Sequence, residues 1–203
     1  MLLRNLANLT TLLRVILVFF IIAFLNQANA AWQIAGLILL VFTLLLDGLD
    51  GFIARKLNSS NNIGSIIDTL GDRITENVLL IFLAYKGLIP FFIPVVFVSR
   101  SFIADFIRNL AFHKGIGTFA INKSKLGFYI VASKSSRTIY LVLKYLVFLL
   151  GAFILVFPER DTGRLLLSTL SYAAILITAL NILRFLGLLH DAKGLLKDVF
   201  SRG

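Results

Sequence analysis

Four aspartates, Asp47, Asp50, Asp68 and Asp72, stand close together within segments that are otherwise apolar. A carboxylate inside a bilayer is costly unless another group compensates its charge, so intramembrane carboxylates mark functional sites. Carboxylate oxygens are hard ligands that suit Mg²⁺ or Mn²⁺ better than zinc or copper. Two divalent cations about 4 Å apart would neutralise most of the four charges. The pattern therefore predicts a site for a pair of divalent cations.

The composition identifies the class of protein that carries these aspartates. The chain has 203 residues, of which 59% are hydrophobic and 15% charged. Several apolar runs reach the roughly 18 residues that a helix needs to cross a hydrocarbon core of about 30 Å. Helices are the expected spanning element, because they satisfy their own backbone hydrogen bonds in lipid. We predict an all-α polytopic membrane protein in which residues 1–203 form a single transmembrane domain.

The hydropathy pattern predicts six transmembrane helices after a short amphipathic N-terminal segment at Met1–Asn8. The predicted spans are 9–25, 31–57, 63–85, 89–113, 134–157 and 164–189, and a basic tail follows the last one. A polar, basic connection joins the fourth and fifth spans. Pro90 lies near the start of the fourth helix, where its missing N–H is tolerated, whereas Pro94 marks a predicted kink.

The distribution of Lys and Arg predicts the orientation. With both termini in the cytoplasm, only Lys86, Arg160 and Arg164 fall on the outer side, and an excess of cytoplasmic positive charge sets the topology of membrane proteins. We therefore expect a multi-pass protein of the cytoplasmic membrane, with the aspartates on the cytoplasmic side. The net charge of +10 is explained by this orientation rather than by nucleic-acid binding, for which the sequence offers no soluble basic module.

The first helix has a second interpretation. Arg4 and Arg14 precede an apolar run that ends near Ala28-Asn29-Ala30, a pattern that imitates a secretory signal and its cleavage site. We favour the uncleaved helix. The remaining helices keep the same orientation under either interpretation, so the prediction of the aspartate site does not depend on the choice.

The second and third spans are expected to form an antiparallel hairpin with its turn at 58–62. Asp47 and Asp72 are almost equally distant from this turn, and so are Asp50 and Asp68, so a rise of about 1.5 Å per residue places each pair at one depth. The spacings i, i+3 and i, i+4 put both aspartates of each helix on one face. We therefore predict that the four carboxylates face one another.

Ion pairing and cation transport are the alternatives to a metal site at these aspartates. A single intramembrane aspartate most often caps a helix or pairs with a nearby arginine, as Asp105 is placed to do with Arg108, or Asp72 with Arg73. Four aspartates at a matched depth favour a metal site instead. A cation transporter belongs to another functional class. It predicts acidic residues spread through the membrane depth, whereas these gather near one face.

Small residues and an arginine accompany the first two aspartates. Gly48, Gly51 and Ala54 leave room beside the acidic face, which favours either close helix packing or the close approach of a ligand. Arg55 lies one turn beyond Gly51, and a guanidinium suits a phosphate group. Metal ligands beside a phosphate-binding arginine predict chemistry on a diphosphate.

These residues together resemble the signature of the CDP-alcohol phosphotransferases. The segment Asp47-Gly48-Leu49-Asp50-Gly51-Phe52-Ile53-Ala54-Arg55, followed by Gly64, Asp68 and Asp72, fills every fixed position of the signature at the right spacing. The opening segment Asn8-Leu9-Thr10-Thr11-Leu12-Leu13-Arg14 is similar to that of phosphatidylglycerophosphate synthases. A capping Asn or Thr and an interfacial Arg are, however, equally expected at any helix start.

The resemblance implies transfer of a phosphatidyl group from CDP-diacylglycerol to a hydroxyl acceptor, with release of CMP. The implied ligands of two Mg²⁺ or Mn²⁺ ions are Asp47, Asp50, Asp68 and Asp72, and Asp72 is also the implied catalytic base. The implied nucleotide-binding residues are Asp47, Gly51, Ala54, Arg55 and Gly64. A homodimer in the membrane is a further expectation from the resemblance.

Basic residues near the connection between the fourth and fifth spans are the candidates for binding the acceptor. The three favoured residues are Arg108, Lys134 and Arg137, although such clusters also serve as orientation signals or headgroup contacts. Glycerol 3-phosphate is the first choice of acceptor. Inositol phosphate is the close alternative, because Asp72-Arg73 followed by Glu76 resembles inositol-phosphate-type members at least as well, and serine is a further alternative.

Overall fold

The computed structural model is all-helical over the residues that it describes. It describes the backbone of residues 2–56, 62–113, 133–158 and 160–200. Within these ranges, the side chains outside the description are those of 2–8, 49–56, 62–66, 112–113, 134, 160–162 and 198–200. The helices are α1 (Leu2–Leu25), α2 (Ala30–Lys56), α3 (Asn62–Tyr85), α4 (Phe92–His113), α5 (Lys134–Val156) and α6 (Arg160–Phe200). The predicted all-α class is confirmed for this part of the chain.

The helices have the apolar surfaces of a polytopic membrane protein. In the described residues, the stretches long and apolar enough to cross a membrane are Ala30–Gly48, Ser135–Val156 and Gly163–Lys197, and α1 adds a shorter apolar stretch at Leu9–Leu25. Large apolar side chains such as Phe102 and Leu165 are more than two-thirds exposed. Exposed apolar surface of this kind marks contact with lipid or another apolar partner. The number of six spans stays a prediction.

Three helix starts differ from the predicted ones by more than one residue, and one of them is that of α6, which begins at Arg160 rather than at Arg164. The helix α1 runs unbroken from Leu2, so the expected N-terminal segment continues into the first span without a break, since neither Gly nor Pro interrupts the chain there; its amphipathic character stays a prediction. The helix α4 begins at Phe92 rather than at Ile89. Pro94 therefore lies in the first turn, where an N–H has no acceptor within the helix, and it gives no reason for a kink.

The last helix continues past the predicted end of the sixth span. The helix α6 runs through the expected basic tail to Phe200 and contains 41 residues, which at about 1.5 Å per residue make it about twice as long as a bilayer core is thick. The continuation has a packing reason. Leu188 and Ala192 of α6 are buried in one cluster with Ala104, Ile107 and Ala111 of α4.

The chain forms two compact units. The first comprises Met1–Phe91 and Val147–Ser171, and the second comprises Phe92–Leu146 and Tyr172–Gly203. The four signature aspartates belong to the first unit, whereas all three candidate acceptor residues belong to the second. The single domain expected from the sequence stays a prediction.

In the first unit, α1 packs against both α2 and α3. The buried residues of α1 repeat at intervals of three and four: they are Thr11, Arg14, Val18, Ile21 and Leu25. This spacing places all of them on one face of the helix. Thr11 and Arg14 therefore lie on the same face of α1 as the apolar residues that pack against its neighbours.

Gly71 allows α1 and α3 to approach closely. A Cβ atom on Gly71 would overlap the methyl group of Thr11 and would come within 3.5 Å of Cγ2 of Val15. Small residues commonly bring helix backbones together in membrane proteins. Thr11 lies one turn before Arg14 on α1, and Gly71 directly precedes Asp72 on α3, so this contact sets how near the two helices come at these charged residues.

Specific caps end and begin the helices of this unit. Asn29 caps α2, because its Oδ1 accepts a hydrogen bond from the N–H of Ala31 at 2.8 Å. Gly87 follows α3 with a φ of 71°. The N–H groups of Gly87 and Leu88 donate to the carbonyls of Ala84 and Leu83 at 2.9 and 3.0 Å. This is a Schellman motif, in which glycine adopts the left-handed conformation without strain.

Gly71→Ala is expected to lower the thermal unfolding temperature of the protein in detergent micelles. The added methyl group would overlap Thr11, and overpacking of this kind typically destabilises by about 1–3 kcal/mol. Thr11→Ser removes the overlapped methyl group and keeps the hydroxyl. The double variant Gly71→Ala/Thr11→Ser should therefore recover most of the loss.

Gly194→Ala is the matched control, because a Cβ atom there meets nothing within 4 Å. This control should unfold at the wild-type temperature or slightly above it, since alanine favours helix. A Gly71→Ala variant as stable as the wild type would show that α1 and α3 do not approach as closely as described.

Candidate active site

Three of the four signature aspartates meet around one arginine. Nη1 of Arg14 contacts Oδ1 of Asp47 and donates a hydrogen bond to Oδ1 of Asp72 at 3.1 Å, while Nη2 donates to Oδ1 of Asp68 at 2.9 Å. One guanidinium on α1 therefore joins carboxylates on α2 and α3. The structure brings these three aspartates together, as their spacing predicted, and their role as metal ligands stays a prediction.

The guanidinium is enclosed, whereas two of the carboxylates are accessible. The side chain of Arg14 is 4% exposed and that of Asp47 18%, while those of Asp72 and Asp68 are 39% and 55% exposed. Arginine is almost never fully buried unless its charge is paired. The accessible side of the cluster is formed by the two aspartates of α3, and it is there that a ligand can approach.

The cluster is rich in negative charge. Its three carboxylates carry three negative charges, and Arg14 supplies one positive charge. Several carboxylate oxygens with surplus negative charge are the donor set that Mg²⁺ and Mn²⁺ prefer. In the part of the chain that the structure describes, no three or more Asp, Glu, His or Cys side chains are arranged as the ligands of a metal ion. In this cluster, the guanidinium of Arg14 lies among the three carboxylates. The chemistry of the donors fits a divalent cation.

For several other residues of the signature, the structure describes the backbone but not the side chain. Asp50, Gly51, Ala54 and Arg55 lie in the last turns of α2, and Gly64 lies in the first turn of α3. Their side chains are outside the description, so their roles in binding metal and nucleotide stay predictions. The same holds for Lys134, the first residue of α5.

The surroundings of Gly48 decide between the two explanations that the sequence offered for a small residue at this position. A Cβ atom at this position would meet nothing within 4 Å, and the residue is exposed. Close helix packing is therefore the wrong reason for glycine at this position. The open space beside Asp47 is compatible with the close approach of a ligand.

The candidate acceptor residues with described side chains have different surroundings. Nη1 of Arg108 pairs with Oδ1 of Asp105 at 3.2 Å, which confirms the ion pair that the sequence suggested. Arg137 is exposed on α5, in the first turns after the cap residue Ser133, whose Oγ accepts from the N–H of Ser136 at 3.3 Å. The exposed position of Arg137 makes it the more accessible of the two, and the predicted proximity of both to the aspartates stays a prediction.

Arg184 makes a polar contact in the second unit that the sequence did not single out. Its Nη1 donates to the carbonyl oxygen and to Oγ of Ser136, both at 3.3 Å. Its guanidinium carbon also lies 4.9 Å from the centre of the Tyr140 ring, within the range of a cation–π interaction. These contacts join α6 to the turn of α5 that carries Arg137.

Arg14 is the site residue that the sequence interpretation missed. From the sequence it resembles a cytoplasmic or interfacial cation at a helix start, and the interfacial interpretation is wrong, because the side chain is buried. A usable signal exists in the spacing of α1. The apolar residues Val18, Ile21 and Leu25 repeat at intervals of three and four, and the same repeat extended toward the N-terminus falls on Arg14.

Comparison with known proteins identifies the family of this chain. The model of the CDP-alcohol phosphatidyltransferase family matches residues 4–185, and the chain belongs to this family. Three relatives are each named a CDP-diacylglycerol–glycerol-3-phosphate 3-phosphatidyltransferase. This chain is 43% identical to the protein of Aquifex aeolicus over 70 residues, 32% identical to that of Bacillus subtilis over 116, and 28% identical to that of Rickettsia typhi over 147.

The extent of these matches differs among the relatives. The matched stretch covers 34% of this chain and 38% of the Aquifex protein, and 51% and 60% for the Bacillus protein. For the Rickettsia protein the two shares are 68% and 83%. The chain thus spans less than two thirds of the length of the first two relatives. Members of the family generally depend on a divalent metal.

Proposed function

We propose that this chain transfers the phosphatidyl group of CDP-diacylglycerol to a hydroxyl group of glycerol 3-phosphate and releases CMP. The observation that carries the proposal is the convergence of Asp47, Asp68 and Asp72 in one accessible cluster of the first unit. Membership of the family supports the reaction and counts against a cation transporter. The names of the relatives support glycerol 3-phosphate as the acceptor.

The proposed site has a metal-binding part and a nucleotide-binding part. The proposed metal ligands are Asp47, Asp50, Asp68 and Asp72. When bound, two Mg²⁺ or Mn²⁺ ions offset the negative charge of the diphosphate and of the departing CMP. The proposed nucleotide-binding residues are Asp47, Gly51, Ala54, Arg55 and Gly64. Among them, the guanidinium of Arg55 suits a phosphate because it can donate two parallel hydrogen bonds.

Asp72 is the proposed general base. Its carboxylate accepts the proton of the acceptor hydroxyl, whose oxygen forms a bond to the phosphorus that carries the diacylglycerol. The bond from this phosphorus to the bridging oxygen breaks, and CMP leaves with the bonding electrons. In the metal-free protein this carboxylate accepts a hydrogen bond from Arg14, and the partial exposure of Asp72 lets an acceptor approach.

The phosphate of the acceptor is proposed to bind to Arg108, Lys134 and Arg137. The exposed position of Arg137 supports its part in this assignment. Inositol phosphate and serine remain the alternative acceptors, and serine would need no phosphate-binding arginine. We further infer that the protein is a homodimer of the cytoplasmic membrane with both termini and the active site on the cytoplasmic side. The asymmetry of Lys and Arg supports this orientation.

Asp68→Asn is expected to lower CMP release by more than about 100-fold with every acceptor. Loss of groups that merely support a metal ligand already costs about 10–100-fold in activity, and loss of a ligand should cost more. The assay supplies CDP-diacylglycerol and Mn²⁺ with glycerol 3-phosphate, inositol 1-phosphate or serine in turn. Chelation of the metal should abolish release by the wild type, and added Mn²⁺ should restore it.

Asp161→Asn is the matched control, because it removes one carboxylate from the first turn of α6 and should keep near-wild-type release. If Asp68→Asn stays fully active, or if chelation has no effect, the metal assignment is wrong. The acceptor that supports the fastest release in the same panel identifies the substrate, and a preference for inositol 1-phosphate or serine would overturn the choice of glycerol 3-phosphate.

Arg137→Ala is expected to raise the KM for glycerol 3-phosphate by about tenfold or more, with a smaller change in kcat. A hydrogen bond to a charged group contributes about 1.5–3 kcal/mol, and a change of 1.4 kcal/mol is a factor of about ten in affinity. The KM for CDP-diacylglycerol should change little. Arg164→Ala, which removes an exposed arginine from α6, serves as the control. An unchanged acceptor KM would remove Arg137 from the acceptor site.

A further inference from the structure

We propose that Arg14 is an internal counter-cation that holds three aspartates together in the metal-free protein and competes with divalent cations for them. The inference rests on the metal-binding role proposed above for Asp47, Asp68 and Asp72. It assigns to Arg14 a positioning role that acts through these carboxylates. Three features support it: the contacts of the guanidinium, the burial of its side chain and the way in which α1 is held.

The guanidinium and a divalent cation would use the same oxygen atoms. Nη1 of Arg14 contacts Oδ1 of both Asp47 and Asp72. Mg²⁺ binds such oxygens at about 2.0–2.1 Å, whereas Nη1 lies 3.1 Å from Oδ1 of Asp72. A cation held by these two oxygens would need the position that Nη1 occupies in the metal-free protein. Metal binding at this point therefore displaces the guanidinium.

The metal-free protein needs a positive charge at this place. Carboxylates that share a site repel one another, and repulsion is stronger in surroundings of low dielectric constant. Arg14 opposes the repulsion with a side chain that is only 4% exposed. Its planar group presents several donors at once, so that Nη1 reaches Asp47 and Asp72 while Nη2 reaches Asp68. Arginine is better suited to this task than lysine, which offers a single nitrogen.

The backbone of α1 is held independently of this charge. Thr11 packs against Gly71 on one side of Arg14, and the buried Val18 continues the same face on the other. The guanidinium, in contrast, sits at the end of a long side chain and can move while the helix stays in place. The accessible side of the cluster, at Asp68 and Asp72, offers a direction for that movement.

The contact thus stabilises the metal-free protein and weakens metal binding by the same amount. The test uses the full-length protein, stripped of metal, in detergent micelles. The dissociation constant for Mn²⁺ is measured from the electron paramagnetic resonance signal of free Mn²⁺. Thermal unfolding is measured with a chelator and again with saturating Mn²⁺. Both readouts are independent of catalytic turnover.

Arg14→Gln is expected to bind Mn²⁺ about tenfold more tightly than the wild type, a change of about 1.4 kcal/mol. Its unfolding temperature should fall with chelator present and should approach the wild-type value with Mn²⁺. The two results are linked, because a ligand that binds only the folded protein stabilises it according to its affinity. Arg14→Lys keeps the charge but offers one nitrogen, and its Mn²⁺ affinity should lie between those of Arg14→Gln and the wild type.

Arg184→Gln is the matched control, since it also removes a guanidinium that donates hydrogen bonds between helices. It should lower the unfolding temperature equally with and without Mn²⁺ and leave the dissociation constant unchanged. If Arg14→Gln does not fold, Arg14→Lys gives the same test, with Mn²⁺ binding tighter than in the wild type as the expected result.

The inference is overturned if the wild type binds Mn²⁺ and neither Arg14 variant binds it more tightly. An equal loss of thermal stability in both metal states would also overturn it, because Arg14 would then stay with the aspartates after metal binding. A failure of the underlying metal assignment looks different. In that case the wild type itself does not bind Mn²⁺, or Asp68→Asn binds it as tightly as the wild type.

Discussion

Charge compensation among apolar helices is the constraint on which the candidate site depends. Asp47, Asp68 and Asp72 meet at one point although their charges repel, and Arg14 is the cation in contact with all three. A group of carboxylates in a medium of low dielectric constant is stable only with positive charge close by. The presence of α1 beside α2 and α3 is therefore part of the chemistry of the site as well as of its packing.

The packing of the first unit serves this arrangement. A stripe of buried residues fixes the rotation of α1, so that Arg14 turns toward the aspartates. Gly71 permits the close approach of α1 and α3 beside Asp72. Asn29 caps the start of α2, and Gly87 ends α3 in a Schellman motif. In the second unit, Arg184 and the cluster formed by α4 and α6 give comparable order to the helices that carry Arg108 and Arg137.

The same arrangement suits a transferase that handles a diphosphate. The aspartates of α3 are accessible, so substrate and metal can approach from that side, while Arg14 lies behind them and is enclosed. A positive side chain that prearranges the carboxylates lowers the reorganisation that metal binding requires. In the arrangement that we propose, it also weakens metal affinity, because a bound cation must displace it. In this view, Arg14 lowers the affinity of the site for metal and keeps the three carboxylates in place in the metal-free state.

The sequence by itself determined the all-α class, most helix ranges and the family, because apolar length and the spacing of the signature are local properties of the chain. The distances of the aspartates from the predicted turn at 58–62 were also enough to predict that Asp47, Asp68 and Asp72 meet. Only the tertiary structure decided that Arg14 lies among them, that Gly71 meets Thr11, and that α6 continues to Phe200. Each of these depends on how neighbouring helices pack. The repeat within α1 marks Arg14 as part of the buried face, but the sequence of α1 does not contain the identity of the residues that cover this face.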